Sequence, residues 1–376
     1  METKNVLVIS SVGVPTPPTW PEDDPEGRKG IRYGGLELVA WQVAKGLAKD
    51  GHKVSMIASL DSDRSYYDPH GIEFIPTVKA GISVQGLGIP EDPSHLIWKE
   101  RIKGRKYDVV IDQSHAHHSF MEQQRDPDYP PVIHVFHDDH APGTHCDHEG
   151  RTTLPKTLES PRICGVSFSH AQRMNLSFGL TTCRAVHHGI DMAEYPLHTG
   201  VRNGRALVVN RVQWFKGIWE VIQVCDMAGI PLDIVGPADH IQGDPYVPFV
   251  KQFEDGDRVK FHGEVPQEKK IEMMQQATVG LSMPWHCEAF GLVAPEFQAC
   301  GTPILVNRSG ALPELVPPEN SCRDMMRAAR RVRQIVENDR YLPKDYRAIV
   351  ERDFTLDHML GRYRRLVDDA LKGVSW

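Results

Sequence analysis

The stretch that decides the fold is Pro284-Trp285-His286-Cys287-Glu288-Ala289-Phe290-Gly291-Leu292-Val293-Ala294-Pro295-Glu296, which places two carboxylates on either side of a small apolar turn. Residues 279–283, just before it, form a continuous apolar run, which predicts a short buried strand. We therefore expect a loop over residues 288–292 and a helix over residues 293–300. In an open α/β sheet, ligands bind beyond the carboxyl ends of the strands, so this loop is predicted to face a ligand.

The two carboxylates suggest the kind of ligand. A helix that begins near Gly291 presents backbone N–H groups and the positive end of its dipole, which favour a phosphate. Glu296 lies about one turn further along, close enough to accept hydrogen bonds from the vicinal hydroxyls of a sugar. Glu288 stands on the other side of the same turn. The pattern favours a sugar nucleotide, and the alternative for any pair of glutamates is a solvated helix face.

Continued through Ala299-Cys300-Gly301-Thr302-Pro303, the stretch resembles the Glu-x7-Glu signature of the retaining glycosyltransferases of family 4. Its Phe-Gly-Leu and Ala-Cys-Gly-Thr-Pro segments fall at the offsets of that signature. The resemblance implies an α/β chain with the GT-B fold, in which two Rossmann-like doubly wound domains face each other across a cleft. It further implies an acceptor-side domain over residues 1–200, a nucleotide-sugar-binding domain over residues 201–356, and a C-terminal helix within residues 357–376 that packs back on the first domain.

Length and composition agree with two globular domains. The chain has 376 residues, 40% of them apolar and 25% charged, which is ordinary for a globular protein with two cores. The net charge of −7 argues against a general nucleic-acid binder. The seven cysteines lack C-x-x-C spacing, which favours a reducing, cytoplasmic setting. The apolar run near the N-terminus is too short for a signal peptide, and no run of about 18 apolar residues predicts a membrane span.

Strands and helices alternate along the chain, as in a doubly wound parallel sheet. Predicted strands cover residues 6–10, 53–58, 107–112, 131–136, 165–169, 185–191, 206–210, 232–237, 259–265 and 279–283. Helices are predicted over residues 36–47, 322–338 and 356–371, and residues 198–205 are predicted to link the domains.

Gly34 and Gly35 open the first predicted helix after a long Pro-rich loop over residues 14–29. One interpretation is a phosphate loop, and the other is a pair of glycines that lets a helix pack closely on the sheet. In the resembling family this Gly-Gly-x-Glu loop faces the cleft, which makes both glycines donor-binding candidates and the preceding loop an acceptor-side lid.

Arg211 and Lys216 follow a predicted strand and precede a predicted helix, where two cations could neutralise a diphosphate. The segment matches the family's R-x-x-x-x-K-G, whose cations bind the donor's diphosphate. A surface pair without a role is the alternative.

His137 ends the apolar strand over residues 131–136. The resemblance implies that a histidine at this position contacts the transferred sugar, with Asp138 a weaker candidate and His115 a looser match. A histidine in this place is otherwise a structural residue.

A crowded set of potential metal ligands raises a zinc site as an alternative, and its members are His137, His140, His145, Cys146, Asp147 and His148. Their spacing lacks a helical H-x3-H or a cysteine pair. The resemblance implies no bound metal and no cofactor apart from the nucleotide sugar.

Residues 310–314 resemble the family's G-G-x-x-E turn, but the Gly-rich segment that usually follows is shortened to Pro317-Pro318-Glu319-Asn320. The arginine-rich helix after it either is solvated or makes a peripheral contact with an anionic membrane or polyanion.

Together these features predict a retaining glycosyltransferase that moves a sugar from a nucleotide diphosphate sugar, expected to be a UDP-sugar, to an acceptor hydroxyl. The predicted catalytic residues are His137, Glu288, Arg211 and Lys216. The predicted donor-binding residues are Gly34, Gly35, Arg211, Lys216, Glu288, Phe290, Gly291, Leu292, Val293 and Glu296. The alternatives are a GT-B phosphorylase or epimerase and a non-catalytic nucleotide-sugar-binding protein. A glycan, a lipid, a metabolite and a modified nucleic-acid base all stay open as acceptors.

Overall fold

The computed structural model describes residues 2–20, 27, 34–80, 93–115, 117–137, 162–178, 182–238, 245–338 and 341–376. The chain divides into two compact units. The first comprises Met1–His187 together with Met359–Trp376, and the second comprises His188–His358.

The first unit is a parallel sheet with helices. Its strands are β1 Asn5–Ile9, β2 Lys53–Ala58, β3 Glu73–Pro76, β4 Val109–Asp112, β5 Val132–Phe136, β6 Arg162–Gly165 and β7 Arg184–Ala185. They form a seven-stranded sheet in the order β3-β2-β1-β4-β5-β6-β7. Its helices are α1 Gly35–Lys49, α2 Pro93–Ile102, α3 Ser119–Arg125 and α4 Phe168–Phe178, with 3-10 turns at Arg64–Tyr66 and Asp68–His70.

The second unit repeats this plan. Its strands are β8 Ala206–Val209, β9 Leu232–Val235, β10 Val259–Gly263, β11 Val279–Ser282, β12 Ile304–Asn307 and β13 Ser321–Cys322, in the order β10-β9-β8-β11-β12-β13. Its helices are α5 Ile218–Ala228, α6 Tyr246–Lys251, α7 Gln267–Gln276, α8 Val293–Ala299, α9 Leu312–Leu315, α10 Met325–Asn338 and α11 Pro343–Asp353, with 3-10 turns at Trp214–Lys216 and Pro318–Asn320. The strand order reverses between β8 and β11, which is the topological switch point where ligands bind in open α/β sheets.

The last helix is α12, Leu356–Leu371, whose residues from Met359 onward belong to the first unit. Leu360 packs directly against Gly46 of α1, where a Cβ would lie 2.4 Å from the Leu360 Cδ2 atom. Arg364 forms a two-pronged ion pair with Asp50 at the end of α1, and Trp376 donates a hydrogen bond to the carbonyl of Ile163 in β6. These contacts bind the end of the chain to the first unit.

The central strands are buried because both faces of each sheet are covered by helices. Val6, Leu7 and Val8 in β1 and Ala206, Leu207 and Val208 in β8 are at most 1% exposed. Continuous apolar runs of this kind are the expected sequence of parallel strands that are covered on both faces. The prediction of two doubly wound α/β sheets is confirmed.

Two strand predictions were wrong at their ends. Residues 165–169 do not continue β6, because α4 begins at Phe168. Ser167 caps that helix, since its hydroxyl accepts a hydrogen bond from the backbone N–H of His170. Residues 185–191 leave the sheet after Ala185, and Ile190 instead pairs with Thr355.

The arginine-rich helix also begins later than predicted. Ser321 and Cys322 are the edge strand β13, and α10 starts at Met325. Asp324 caps it by accepting a hydrogen bond from the backbone N–H of Arg327 at 2.8 Å.

Residues 198–205 have no regular structure, but they belong to the second unit, so the expected boundary at residue 200 lies within that unit. Arg202 holds this segment by donating to the carbonyl of Gly301 at 2.8 Å and to the hydroxyl of Thr302 at 2.6 Å. In the part of the chain that the structure describes, no helix is both long and apolar enough to cross a bilayer.

Candidate active site

The loops after β8 and β11 meet at the switch point of the second unit. Lys216 stands in the 3-10 turn after β8, and Glu288 lies in the loop between β11 and α8. The Lys216 ammonium donates to Glu288 Oε2 at 2.9 Å, and the Lys216 side chain is only 8% exposed. Two residues that are 72 positions apart in sequence thus form a largely buried ion pair at the edge of the sheet where a ligand is expected.

His286 lies next to both members of this ion pair. Its Nδ1 atom lies 3.1 Å from the carbonyl oxygen of Phe215, which can only accept, so Nδ1 carries a proton. Its Nε2 atom lies 3.4 Å from the Lys216 ammonium and 3.3 Å from Glu288 Oε2. Burial by itself would raise the pKa of Glu288, but the neighbouring positive charge of Lys216 outweighs burial, and this pKa is lowered to about 2. Glu288 is therefore a carboxylate at neutral pH.

Two glycines allow the segments of the site to approach each other. Gly217, directly after Lys216, has φ 69°, and a Cβ there would lie 1.8 Å from the carbonyl oxygen of Met283. Gly310 has φ 53°, and a Cβ there would lie 2.1 Å from the carbonyl oxygen of Glu288. That same carbonyl accepts a hydrogen bond from the N–H of Ala311 at 2.9 Å. The turn over residues 310–314 therefore braces the loop that carries Glu288.

Glu296, the second glutamate of the motif, is held on α8 by two donors. The Tyr195 hydroxyl donates to Glu296 Oε1 at 2.8 Å, and the Lys270 ammonium of α7 donates to the same oxygen at 3.0 Å. Gln267 in turn donates to the Tyr195 hydroxyl. Among the residues that the structure describes, the hydrogen bonds to this carboxylate all fall on Oε1. Oε2 is thus the oxygen that can accept hydrogen bonds from a ligand.

The other predicted donor-binding residues of this unit lie near the same loops. Gly291 and Leu292 precede α8, and Val293 is its first residue. The first N–H groups of a helix have no acceptor within that helix. Arg211 is half-buried directly after Asn210 at the carboxyl end of β8. The Phe290 side chain is 2% exposed and packs edge-on against His188, so it is part of the core of this unit.

The predicted residues of the first unit form a separate group. His137 follows β5, and its Nε2 atom lies 3.2 Å from Gln113 Oε1, which also accepts from the Tyr363 hydroxyl of α12. Gly34 and Gly35 stand at the start of α1, and the Gly34 backbone approaches Pro18 so closely that a Cβ would lie 2.5 Å from the Pro18 Cβ. His115, the looser match, is half-buried in the loop after β4. Three sets of predicted residues lie outside the described residues. They are Asp138, the crowded potential metal ligands from His140 to His148, and most of the second half of the predicted lid loop.

Within the described residues, one group of three potential metal ligands lies close together, and it is not the group considered from the sequence. Asp112, His117 and His134 are buried, with ligand atoms within 4.8 Å of one another. Protein groups engage this cluster, because Asp112 accepts from the backbone and hydroxyl of Ser114 and from the hydroxyl of Ser119. Burial holds the pKa of His134 well below its usual range. The cluster is a hydrogen-bonded network that shapes the loop after β4.

Sequence reasoning missed three residues of the site in the second unit. His286 could have been found, because it stands two residues before Glu288, and residues i and i+2 of an extended segment point to the same side. Tyr195 and Lys270 carried no such signal. They reach Glu296 from positions 101 and 26 residues away, respectively.

Two solved structures have the same fold as this chain. The sucrose-phosphate synthase of Thermosynechococcus elongatus shares 20% identity with this chain, over 98% of this chain and 100% of that one, with a TM-score of 0.73. Anabaena HepE, solved with UDP and glucose, shares 16% identity over 97% of this chain and 100% of that one, with a TM-score of 0.69. The chain is an α/β protein with the GT-B fold of glycosyltransferases.

Two family models then cover most of the chain. The model of Glycosyltransferase Family 4 matches residues 33–194, and that of Glycosyl transferases group 1 matches residues 201–352. The glycogen synthase of Mycobacterium tuberculosis is 26% identical over 218 residues, which are 54% of this chain and 52% of that protein. The match thus spans about half the length of this curated relative. The chain belongs to the group 1 and family 4 glycosyltransferases, as the Glu-x7-Glu stretch predicted.

Proposed function

We propose that this enzyme transfers a sugar from a nucleoside diphosphate sugar to an acceptor hydroxyl and retains the configuration of the anomeric carbon. The observation that carries the proposal is the Lys216–Glu288 ion pair at the switch point of the second unit. UDP is the proposed nucleotide, since Anabaena HepE, which shares the fold, was solved with UDP and with glucose.

Each proposed role follows from charge and position. The diphosphate would be bound by two cations, Lys216 and Arg211, and by the backbone N–H groups of Gly291, Leu292 and Val293. These groups would also stabilise the negative charge that the diphosphate gains as it leaves. Glu288, a carboxylate at neutral pH, would accept a hydrogen bond from a hydroxyl of the transferred sugar.

The remaining roles concern the rest of the donor. Glu296 would accept hydrogen bonds from the ribose hydroxyls at Oε2, since Tyr195 and Lys270 occupy Oε1. His137, Gly34 and Gly35 are the candidates from the first unit for contact with the donor. The proposal needs no cofactor besides the nucleotide sugar.

The proposed reaction is a substitution on one face of the sugar. The bond between the anomeric carbon and the diphosphate oxygen breaks, and the acceptor oxygen forms its bond on the same face. The acceptor proton passes to the departing diphosphate. The cations at the switch point would stabilise the leaving group throughout this step.

A donor screen tests the binding part of the proposal. Purified enzyme is mixed with UDP-, GDP-, ADP- and dTDP-sugars, and thermal stability and slow donor hydrolysis are measured. A ligand at 100 times its dissociation constant stabilises a protein by about 2.7 kcal/mol, which is easily detected. We expect the sugars of one nucleotide to raise the thermal stability more than the others do. This stabilisation should be lost in Glu296→Gln and kept in Glu268→Gln. Glu268 is an exposed glutamate of α7 and serves as the matched control.

The stereochemical part needs the transfer reaction itself. With the identified donor and a panel of hydroxyl acceptors, proton NMR of the first product gives its anomeric configuration. Retention supports the one-face substitution, and a product of inverted configuration contradicts it. If no nucleotide sugar binds, the assignment of the switch point to the donor is wrong.

A further inference from the structure

A cavity of about 240 Å³ lies in the second unit, outside the site described above. It is formed by the 3-10 turn before β13, by β13 itself, by Arg308 after β12, and by one face of α10. Its lining is rich in guanidinium groups, and five arginines contribute: Arg308, Arg323, Arg327, Arg330 and Arg331. We call it the arginine cavity. A single ordered water needs only roughly 15 Å³, so the cavity has room for a polyatomic ion.

The charge of this cavity is far from balanced. Glu319 is the one carboxylate among the residues that line it. Arg327 also contacts Asp324 at 3.5 Å, but both side chains are more than half exposed, and such surface pairs contribute little. The rest of the chain has the opposite tendency, since its net charge is −7. Positive charge is therefore concentrated at this place in an acidic protein.

The spacing along α10 explains how the charges come together. Arg327, Arg330 and Gln334 recur every three or four residues along α10, which places them on one side of the helix, and Arg323 comes just before the first residue of this helix. Like charges at these spacings destabilise a helix in isolation. An anion between the guanidinium groups would turn this repulsion into attraction.

A buried hydroxyl in the cavity wall points to a ligand independently of the arginines. Ser321 is 8% exposed, and it lines the cavity. Within the described part of the chain, its Oγ atom has no hydrogen-bond partner. A buried hydroxyl without a partner is costly, and an anionic oxygen in the cavity would remove that cost by accepting a hydrogen bond from it.

We propose that the arginine cavity binds a phosphate group, carried either by a soluble phosphorylated compound or by a phospholipid headgroup. Guanidinium groups match phosphate oxygens with paired hydrogen bonds and keep their charge at any physiological pH. Arg331, the buried member, is already oriented by its hydrogen bond to Asn320 Oδ1 at 3.0 Å. The hydroxyl of Ser321 would complete the set of donors.

Isothermal titration with inorganic pyrophosphate tests the proposal. The variant Arg327→Gln/Arg330→Gln removes two exposed guanidinium groups, and glutamine has nearly the helix propensity of arginine, so α10 is kept. The control Arg333→Gln/Lys344→Gln removes two positive charges from the same unit outside the cavity lining. We expect pyrophosphate affinity to fall by about tenfold or more in the first variant and to stay unchanged in the control.

Pyrophosphate could also bind at the switch point, so Lys216→Ala is titrated in parallel. The component of binding that survives Lys216→Ala and disappears in Arg327→Gln/Arg330→Gln belongs to the arginine cavity. Pyrophosphate binding that is insensitive to the cavity variant overturns the proposal. That result would not contradict the proposed function, because binding of the nucleotide sugar is measured separately in the donor screen.

A second variant and a second probe complete the test. Ser321→Ala removes the unpartnered hydroxyl, and we expect weaker pyrophosphate binding without loss of thermal stability. Sedimentation with phosphatidylserine vesicles, against phosphatidylcholine vesicles, separates the two sources of phosphate. Vesicle binding that the cavity variant abolishes identifies a lipid headgroup, and pyrophosphate binding alone identifies a soluble compound. If neither probe binds in a way that depends on Arg327 and Arg330, the cavity is not a phosphate site.

Discussion

The two units carry different chemistry at the carboxyl ends of similar sheets. In the second unit, a buried carboxylate is matched by a full positive charge, Glu288 by Lys216 and Glu296 by Lys270. In the first unit, Asp112 is held by serine hydroxyls, and the nearby His134 is kept uncharged by burial, which lowers its pKa. The comparison shows how one sheet plan can match its carboxylates with lysines in one unit and with neutral hydroxyl donors in the other. Lysines suit a phosphate, because their positive charge strengthens hydrogen bonds to anionic oxygens.

The largest expected effect comes from Lys216→Ala, which removes the fixed positive charge at the switch point. We expect kcat to fall by about 10²- to 10³-fold, as when one preorganised electrostatic donor is lost. The free energy of unfolding should also fall, because Glu288 keeps a buried charge without its partner. Steady-state kinetics and chemical denaturation measure the two effects.

The double variant Lys216→Ala/Glu288→Gln separates these effects. It should regain much of the stability, since the unpaired charge is gone, but none of the activity. An Arg211→Ala/Lys216→Ala enzyme that remains kinetically competent would show that the switch point does not bind the diphosphate.

Gly310→Ala tests whether the turn after β12 braces the Glu288 loop. The new Cβ would meet the Glu288 carbonyl oxygen at 2.1 Å, in a residue whose φ of 53° already disfavours alanine. We expect a loss of about 3 kcal/mol in the free energy of unfolding, together with weaker donor binding.

The matched control is Gly256→Ala in the same unit. Its φ is 74°, and nothing lies within 4 Å of the added Cβ. It should lose only about 1 kcal/mol, which is the conformational part of the effect. Equal losses in both variants would mean that contact with the Glu288 loop contributes nothing.

The pH dependence of stability should differ between the units. Burial lowers the pKa of His95 to about 4, helped by the charge of the neighbouring His118, and burial also lowers that of His134. The unfolded chain then binds more protons than the folded one, so stability is full above about pH 6.5 and is lost as the pH falls from there toward 4. The slope is about 1.4 kcal/mol per pH unit for each histidine that titrates.

The contribution of Glu288 to stability is lost at a lower pH than that of the two histidines. Its folded pKa of about 2 lies below the ordinary value of 4.5, so its contribution is present above pH 4.5 and is lost only as the pH falls from 4.5 toward 2. Hydrogen exchange, corrected for intrinsic rates, should therefore show β5 losing protection between pH 6.5 and 4.5 before β11 does. Simultaneous loss in both strands, or a β5 response that persists in His134→Gln/His95→Gln, contradicts this assignment.

The smallest effect is expected from Tyr195→Phe. It removes one of the two donors to Glu296 Oε1 and leaves Lys270 in place. Donor affinity should fall by about fivefold to tenfold, as for the loss of one hydrogen bond to a charged group, with kcat nearly unchanged. Tyr66→Phe, which alters a tyrosine of the first unit, is the control. A fall in kcat as large as that of Lys216→Ala would show that Tyr195 does more than position Glu296.

Much of the fold and part of the site could be predicted from local patterns. The strand over residues 53–58 and the helix over residues 356–371 were predicted at their observed bounds, because each is a clear periodic or continuous apolar run. The errors at Phe168 and Met325 came from unrecognised caps, since Ser167 and Asp324 each begin a helix with a single side-chain hydrogen bond. Such caps are visible in sequence, but many Ser and Asp residues cap nothing.

The sequence by itself determined the alternation of strands and helices, the two sheets, and the family, because these depend on short-range periodicity and on a motif that lies within a few turns of chain. Only the tertiary structure decided which side chains meet. The contacts of Glu288 with Lys216, and of Glu296 with Tyr195, join residues 72 and 101 positions apart. The arginine cavity likewise needs Arg308 and the face of α10 to be brought together around β13. Local patterns set how each segment folds, but the packing of parallel strands sets which loops share an edge of the sheet, and that edge is where the residues of the candidate site meet.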